Sequence, residues 1–421
     1  MERYLIEGGN KLFGEVTIES AKNSVLPLIA SSILTEKKVL IKNCPKILDV
    51  FSLIKIVESI GVKTEFIGND LLIDSSSVNS FEIPENLTKE LRASVFMMGA
   101  LISRFKRVKI AYPGGCNIGK RPIDLHLKCL RALGVKVVEK DGFITCVAER
   151  LKGNKIYLDY PSVGATENAI LTAVLANGKT EIHNSAREPE IVDLMNFLNS
   201  LGAKIYGAGT SNILIEGVKK LNGGTYSPIF DRVEAGTFIL AVAITGGELQ
   251  LNNCNIKNIS FFTHKFCDNT CKMRQENGII HVYSKKERKP FSISTGPYPD
   301  FPTDLQAQTC VLASITKGRS VICERVFENR FNHLIELEKM GAQFSVKGRK
   351  IIFDGVERLK GAHVIASDLR GGAALVLAGL NAEGQTVVDG VKHVKRGYAN
   401  LDKKLRDVGA NIKITEDANE G

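Results

Sequence analysis

The sequence has no tryptophan, no long apolar run and no basic or acidic tail. No segment approaches the roughly 18 consecutive apolar residues that a membrane-spanning helix needs, and the first residues do not resemble a signal peptide. Nine cysteines, an odd number at irregular spacings, argue against a disulfide framework and suit a reducing compartment. We therefore expect a cytoplasmic protein without a membrane partner.

Lysine and arginine outnumber the acidic residues, which gives a formal net charge of +10 and favours anionic partners. Charge alone fits small phosphorylated ligands and nucleic acid equally well. However, the chain has neither the interleaved aromatic residues nor the basic helix that nucleic-acid binding uses, so we expect no nucleic-acid partner. A chain of 421 residues is also too long for one core, which predicts two or three domains.

The chain repeats one unit of about 70 residues six times. Each unit reads as strand, helix, short strand, polar helix and strand, with a glycine where the polar helix ends. One copy lacks this glycine, since two periods separate Gly202 from Gly341. The signature glycines are Gly61, Gly134, Gly202, Gly341 and Gly409. The equivalent short-strand positions are Ile41, Ile110, Ile182, Leu251, Ile322 and Val388.

The first helix of each unit is apolar and small on nearly every face, which predicts that it is buried. The second helix, as in residues 189–201 and 331–340, has the apolar spacing of a surface helix. We therefore predict an α/β fold: a two-domain inside-out α/β barrel of six repeated units, with buried helices and outer sheets and helices. The six predicted buried helices span residues 21–34, 93–103, 166–176, 236–245, 305–316 and 373–382.

The starts of these buried helices are candidate anion sites. Helix N-termini expose unpaired N–H groups and attract phosphate and carboxylate. Two sets of three starts would converge on one cleft, with Lys22, Arg92 and Arg370 at its rim. Alternatively, the serine and threonine residues here are only caps and the charges are solvated.

Cys116 lies in a glycine-rich loop, Pro113-Gly114-Gly115-Cys116, with Lys120 and Arg121 shortly after it. Nearby cations favour the thiolate, so this thiol is suited to proton transfer or to attack on carbon. The alternative is an ordinary cysteine beside a glycine turn.

Together with the sixfold repeat, several short motifs resemble those of the enolpyruvyl transferases that act on UDP-N-acetylglucosamine. The resemblance runs from about residue 2 to 412. It is carried by Ala21-Lys22-Asn23, Leu91-Arg92-Ala93-Ser94, the Cys116 loop with Arg121-Pro122-Ile123-Asp124-Leu125-His126, Pro161-Ser162-Val163-Gly164-Ala165-Thr166, Arg187-Glu188-Pro189-Glu190, Phe301-Pro302-Thr303-Asp304, Phe327-Glu328-Asn329-Arg330 and Asp368-Leu369-Arg370.

The resemblance implies domains at 22–229 and at 1–21 plus 230–421. It also implies transfer of enolpyruvyl from phosphoenolpyruvate to the 3′-hydroxyl of UDP-N-acetylglucosamine, with release of phosphate, as the first committed step of peptidoglycan synthesis. Cys116 would be the proton donor and the target of the epoxide fosfomycin, and Asp304 the base. Lys22, Arg121 and Arg396 would hold phosphate and carboxylate, supported by Arg330 and Arg370. No cofactor or metal is implied.

By the same resemblance, the substrate-binding residues are Lys22, Asn23, Arg92, Arg121, Pro122, Ile123, Asp124, Leu125, Ser162, Val163, Gly164, Asp304, Val326, Arg330, Arg370 and Arg396. From the residues alone, the alternative for Asp304 is a simple helix-terminal charge, and the alternative for Lys22, Arg330 and Arg396 is that they are exposed cations in salt bridges. Glu188 and Glu190 are better explained as fixing a helix start.

Residues 259–282 depart from the repeat. His264, Cys267 and Cys271 fall on one face if this segment is helical, and a partly buried helix face is a better interpretation than a metal site.

Three other functions stay open: the sister transferase acting on shikimate 3-phosphate, a catalytically idle UDP-N-acetylglucosamine-binding paralogue, and a basic repeat protein that binds nucleic acid. The sequence does not indicate the oligomeric state.

Overall fold

The computed structural model describes residues 2–114, 122–265 and 269–416. Cys116, Lys120, Arg121 and Cys267 lie outside the described residues. Contacts divide the chain into two compact units. The central unit contains residues 20–114 and 122–229, and the split unit contains residues 2–19 and 230–416.

The described residues form strands and helices that follow the order of the predicted repeat, with a strand hairpin after the outer helix. The strands are β1 (Glu2–Glu7), β2 (Leu12–Thr17), β3 (Val39–Ile41), β4 (Lys63–Ile67), β5 (Asp70–Asp74), β6 (Arg107–Ala111), β7 (Lys136–Lys140), β8 (Phe143–Val147), β9 (Lys155–Tyr157), β10 (Lys179–His183), β11 (Lys204–Tyr206), β12 (Asn212–Glu216), β13 (Gly224–Tyr226), β14 (Gly247–Asn252), β15 (Cys271–Glu276), β16 (Ile279–Ser284), β17 (Ser292–Ser294), β18 (Arg319–Cys323), β19 (Phe344–Lys347), β20 (Lys350–Asp354), β21 (His363–Ile365), β22 (Gln385–Asp389) and β23 (Asn411–Glu416). The α-helices are α1 (Lys22–Ser31), α2 (Leu48–Ser59), α3 (Glu85–Glu90), α4 (Phe96–Phe105), α5 (Asp124–Ala132), α6 (Val163–Ala173), α7 (Pro189–Ser200), α8 (Arg232–Thr245), α9 (Ser260–Lys265), α10 (Gln306–Ser314), α11 (Asn332–Lys339), α12 (Leu369–Asn381), α13 (Val391–Val394) and α14 (Leu401–Asp407).

In the described part of the chain, five of the six sheets share one four-stranded topology, and the sixth has three strands. In the four-stranded sheets, the short strand of the repeat pairs in parallel with one neighbour and antiparallel with the other. The strand orders are β13-β3-β5-β4, β6-β8-β7 and β11-β12-β10-β9 in the central unit, and β15-β16-β14-β2, β17-β18-β20-β19 and β21-β22-β1-β23 in the split unit. The six predicted short-strand residues all lie in these strands and are fully buried.

The N-terminal strands explain why one unit is discontinuous in sequence. β1 pairs with β22 and β23, and β2 pairs in parallel with β14, so residues 2–17 complete two sheets of the split unit. In the central unit, β13, from the C-terminal end of that unit, pairs in parallel with β3. Each unit is therefore closed by a strand that is distant in sequence from its partner.

The helices predicted to be buried are buried. These are α1, α4 and α6 in the central unit and α8, α10 and α12 in the split unit, and α8 has no exposed residue from Arg232 to Ile244. Small residues allow the close approach: a Cβ at Gly99 in α4 would lie 2.7 Å from Oδ1 of Asn168 in α6. The signature glycines take positive φ angles of 87 to 102°, as predicted for residues that end a helix.

The helical interpretation of residues 259–282 is wrong. α9 is short, and Cys271 is a buried residue at the start of β15, which forms a hairpin with β16. The positive φ angles of Asn277 and Gly278 make the turn of this hairpin. Among residues 2–114, 122–265 and 269–416, no group of three histidine, cysteine, aspartate or glutamate residues is arranged to hold a metal ion.

No helix in the part of the chain that the structure describes is both long enough and apolar enough to cross a membrane.

A buried carboxylate fixes the chain where it enters the split unit. One oxygen of Glu234 accepts a hydrogen bond from the backbone N–H of Glu19 at 2.8 Å, and the other contacts Nζ of Lys404 at 2.8 Å. The backbone N–H of Asp231 donates to the carbonyl of Glu19 at 2.8 Å. Burial raises the pKa of Glu234 to about 7, and the charge of Lys404 opposes the rise.

We expect the stability of the protein to depend on pH through Glu234. Its pKa of about 7 in the folded protein exceeds the ordinary glutamate value of 4.5, so its contribution to stability is complete below pH 4.5 and is lost as pH rises through 7. Each pKa unit corresponds to about 1.4 kcal/mol. Between pH 5 and 8, the free energy of unfolding of Glu234→Gln should therefore rise relative to that of the parent by up to about 3 kcal/mol. Urea unfolding of both proteins at several pH values measures this, and a pH-independent difference would contradict it.

Candidate functional site

Asp304 is held between two buried arginines of the split unit. It lies in a short 3-10 helix, Thr303–Leu305, directly before α10. Its Oδ1 accepts a hydrogen bond from Nη2 of Arg330 at 2.9 Å, and its Oδ2 accepts one from Nη2 of Arg370 at 3.4 Å. The arginine side chains are 5% and 3% exposed, whereas Asp304 is 28% exposed. The carboxylate is thus fixed from its buried side and accessible from the other.

The three buried helices of the split unit start with acidic residues that play different roles. Asp231 caps α8 by accepting from the backbone N–H groups of Val233 and Glu234. Asp368 caps α12 in the same way. Asp304 is instead the second residue of its 3-10 helix, for which Pro302 is the N-cap, and its carboxylate is bonded to two arginines. It is therefore more than a helix-terminal charge.

Arg370 is surrounded by a polar network inside the core. Its guanidinium lies 5.3 Å from the ring centre of Tyr398. The Tyr398 hydroxyl is hydrogen-bonded to Thr237 in α8 at 2.8 Å and to Gln308 in α10 at 3.1 Å. Burial would lower the pKa of Arg370, but Tyr398 and the carboxylates of Asp304 and Asp231 raise it above its ordinary value. Arg370 is accordingly a permanent cation.

Arg330 is buried, so it is not an exposed cation as the alternative interpretation had it. Its Nη1 donates to the hydroxyl of Thr303 at 3.0 Å, while its Nη2 holds Asp304. The predicted site residue Val326 follows β18, and its backbone N–H donates to Glu324 at 2.7 Å. Arg330, Asp304 and Val326 are therefore joined through Thr303 and Glu324.

Arg396 lies in the turn after α13, where its backbone N–H donates to the carbonyl of His393 at 3.3 Å, and it is half-buried. Two histidines of the split unit are kept neutral by their surroundings. Burial lowers the pKa of His333 to about 4, and burial together with Lys392 and Arg396 lowers the pKa of His393. The positive charge of this region is therefore carried by arginine and lysine.

In the central unit, Lys22 is the first residue of α1, and Asn23 follows it. Nζ of Lys22 forms an ion pair with Oδ2 of Asp49 at 2.8 Å, and both side chains are largely covered, at 12% and 5% exposure. Asp49 lies in the first turn of α2. Sequence reasoning missed Asp49, whose only signal was an acidic residue in the first turn of an outer helix.

Arg92 connects the two sides of the segment that contains Cys116. Its Nη1 donates to the carbonyl of Pro113 and its Nη2 to the carbonyl of Pro122, each at 3.4 Å. Gly114 lies so close to the end of α3 that a Cβ would come within 1.7 Å of the carbonyl oxygen of Lys89. The chain is thus anchored immediately before and after residues 115–121.

The two remaining groups of predicted residues lie at neighbouring helix starts. Ile123 is buried before α5, and Asp124 and Leu125 form its first turn. Ser162 caps α6 by accepting from the N–H of Ala165 at 3.3 Å, and Val163 and Gly164 follow it. A Cβ at Gly164 would lie 2.9 Å from the His126 ring in α5, so the two helix starts approach closely. For the Ser162 side chain, the interpretation as a cap is confirmed.

Glu188 and Glu190 lie at the start of α7, and both are buried. Burial, together with the charges of Glu190 and Glu188, raises the pKa of Glu167 in α6 well above its ordinary value. We assign these three carboxyl groups to the interior of the central unit.

The chain is similar to known transferases over nearly its whole length. The family model of EPSP synthase (3-phosphoshikimate 1-carboxyvinyltransferase) matches residues 6–405. The chain is 50% identical over 413 residues to UDP-N-acetylglucosamine 1-carboxyvinyltransferase 2 of Caldanaerobacter subterraneus subsp. tengcongensis, covering 98% of this chain and 99% of the relative. It is 49% identical over 418 residues to UDP-N-acetylglucosamine 1-carboxyvinyltransferase 1 of Clostridium acetobutylicum, covering 99% and 100%.

Solved structures agree with the predicted fold. The enolpyruvyl transferase NikO from Streptomyces tendae superimposes with a TM-score of 0.89 at 25% identity, covering 98% of this chain and 99% of the other. The EPSP synthase of Acinetobacter baumannii superimposes with a TM-score of 0.74 at 18% identity, covering 99% and 100%, and supports the fold alone. The predicted inside-out α/β architecture of six repeats is confirmed. With the family model matched from residue 6 to 405 and relatives at about half identity, this chain belongs to the EPSP synthase family of enolpyruvyl transferases.

Proposed function

We propose that this protein transfers the enolpyruvyl group of phosphoenolpyruvate to the 3′-hydroxyl of UDP-N-acetylglucosamine and releases phosphate, the first committed step of peptidoglycan synthesis. Its substrates are small molecules and its location is the cytoplasm. The names of the relatives support this choice of acceptor. The observation that carries the proposal is the partly exposed carboxylate of Asp304, fixed by Arg330 and Arg370 at the start of a buried helix.

The reaction is an addition followed by an elimination. The sugar hydroxyl attacks the phosphate-bearing carbon of phosphoenolpyruvate and gives its proton to Asp304, while Cys116 donates a proton to the methylene carbon. In the elimination, the tetrahedral intermediate returns a proton from its new methyl group to the Cys116 thiolate and expels phosphate, which restores the double bond. The leaving phosphate takes up the proton held by Asp304, so both groups regain their starting states. A general base must be held near the hydroxyl in a fixed orientation, which is what the two arginines provide for Asp304.

Cationic side chains are needed because both ends of phosphoenolpyruvate are anionic. We assign Lys22, Arg121 and Arg396 to the phosphate and carboxylate groups, with Arg370 as a further cation. Lys22 is suited to this task because Asp49 holds its ammonium group in one place.

The nucleotide sugar would contact residues at the helix starts of the central unit. We assign this role to Asn23, to Arg92 and to the residues around the starts of α5 and α6, and to Val326 in the split unit. Exposed N–H groups at helix starts suit a diphosphate. The central-unit residues in this set are Asn23, Arg92, Arg121, Pro122, Ile123, Asp124, Leu125, Ser162, Val163 and Gly164.

Phosphate release tests the proposal. Purified protein with phosphoenolpyruvate should release phosphate when UDP-N-acetylglucosamine is added and not when shikimate 3-phosphate is added. Release with shikimate 3-phosphate alone would identify the sister reaction. Binding of UDP-N-acetylglucosamine without phosphate release would identify an idle paralogue, and either outcome would overturn the proposed function.

A further inference from the structure

Glu324 is a fully buried carboxylate that the sequence did not single out. It directly follows β18 and accepts four hydrogen bonds. Its Oε1 accepts from the hydroxyl of Thr295 at 2.8 Å and from the backbone N–H groups of Val326 at 2.7 Å and Phe327 at 3.0 Å. Its Oε2 accepts from the hydroxyl of Thr303 at 2.8 Å. Such a carboxylate orients every donor around it.

The bond to Thr303 continues as far as Asp304. A threonine hydroxyl has one proton, and here that proton is given to Glu324, so the oxygen is left to accept from Nη1 of Arg330 at 3.0 Å. Nη2 of the same guanidinium holds Asp304 at 2.9 Å. Because the guanidinium is planar, fixing one of its nitrogens at Thr303 fixes where the other can hold Asp304.

We propose that Glu324 is a positioning residue for Asp304. It acts through Thr303 and Arg330, touches no substrate, and sets the orientation of the carboxylate that takes the proton of the acceptor hydroxyl. At the same time it shapes the backbone at Val326 and Phe327. This inference rests on the proposed function, since it assigns Asp304 the role of base.

Glu324→Gln is the sharpest test, because it changes only part of the network. With its amide oxygen placed at the position of Oε1, glutamine still accepts from Thr295 and the two backbone groups. Its NH₂ then faces Thr303 and donates where the carboxylate accepted, so the Thr303 proton loses its acceptor. The hydroxyl must rotate to place that proton elsewhere, which perturbs its bond to Arg330 and the position of the guanidinium. A misplacement of about 1 Å can cost about 100-fold in rate.

We expect Glu324→Gln to lower kcat about 10- to 100-fold with KM for both substrates changed less than about threefold. The pH dependence of kcat should also change on its acidic side, which a purely structural defect would not cause. Thr303→Val should give a similar loss, Thr303→Ser should keep most of the rate, and the double variant Glu324→Gln/Thr303→Val should lose less than the sum of the two effects.

Glu234→Gln is the matched control. Glu234 is also a buried glutamate of the split unit that accepts from a backbone N–H, but it is bonded to Glu19 and Lys404. Its variant should keep kcat within about twofold. If the parent protein releases no phosphate with both substrates present, the proposed function is refuted. If the parent turns over and Glu324→Gln or Thr303→Val keeps a normal kcat and pH profile, the positioning role is overturned. If Glu324→Gln does not fold, the Thr303 variants decide.

Discussion

Replacing Asp304 with asparagine should lower kcat by roughly 10²–10⁴ while leaving the affinity for UDP-N-acetylglucosamine within a few-fold of the parent value. Asparagine keeps the shape and one acceptor oxygen for Arg330 but cannot take a proton. Steady-state phosphate release gives kcat, and calorimetric titration with the nucleotide sugar gives the affinity.

Asparagine is preferred to alanine because Arg330 and Arg370 are buried. Removing their partner entirely would leave two desolvated cations, which is strongly destabilising. Asp304→Ala should therefore lose similar activity and also unfold at a lower urea concentration.

Asp354 offers the control for this experiment. It is in the same unit and pairs with Arg319 at 3.0 Å, but both side chains are more than half exposed. Asp354→Asn should change kcat by less than twofold, since an exposed ion pair contributes little. Near-normal turnover by Asp304→Asn would remove Asp304 from the chemistry.

The second large effect is expected at Cys116. Cys116→Ala should lose roughly 10²–10⁴ in kcat because the proton donor is gone, whereas Cys116→Asp should retain part of the turnover because a carboxyl group can also donate. Both variants should become insensitive to a thiol-alkylating epoxide. Intact mass spectrometry after epoxide treatment should show one adduct on the parent protein and none on either variant.

Four of the buried cysteines are poorly suited to react with the epoxide. Burial raises the pKa of Cys44, Cys129, Cys146 and Cys254 to about 12, so these thiols are almost entirely protonated at neutral pH. Cys254→Ala is accordingly the control and should keep the adduct. An adduct of equal yield on Cys116→Asp would show that another thiol is the target.

Much of the fold could be predicted because the same sequence signals recur in each repeat. Apolar helices of small residues indicated burial, and the glycines after polar helices indicated where those helices end. The helical interpretation of residues 259–282 was wrong because the helix in this repeat is the short α9, and β15 and β16 form the hairpin that the other repeats also contain. The spacing of His264 and Cys271 suggested one helical face, whereas the Asn277-Gly278 pair is the sequence signal of the hairpin turn.

The candidate site was predicted only in part. Lys22, Arg92, Asp304 and Arg370 were identifiable since each lies near the start of a buried helix. Their surroundings were not, because packing brings Asp49 to Lys22, Glu324 to Thr303 and Tyr398 to Arg370 across sequence separations of 27, 21 and 28 positions.

By itself, the amino-acid sequence determined the sixfold repeat, the burial of one helix in each copy and the chemical types of the candidate catalytic groups. These follow from local properties: apolar periodicity, helix-ending glycines and short motifs. Only the tertiary structure decided that Arg330 is buried and donates to both Thr303 and Asp304, and that the Asp304 carboxylate is held by two arginines. The physical reason is that a charged side chain's role depends on which distant groups share its desolvated surroundings, and chain folding alone brings those groups together.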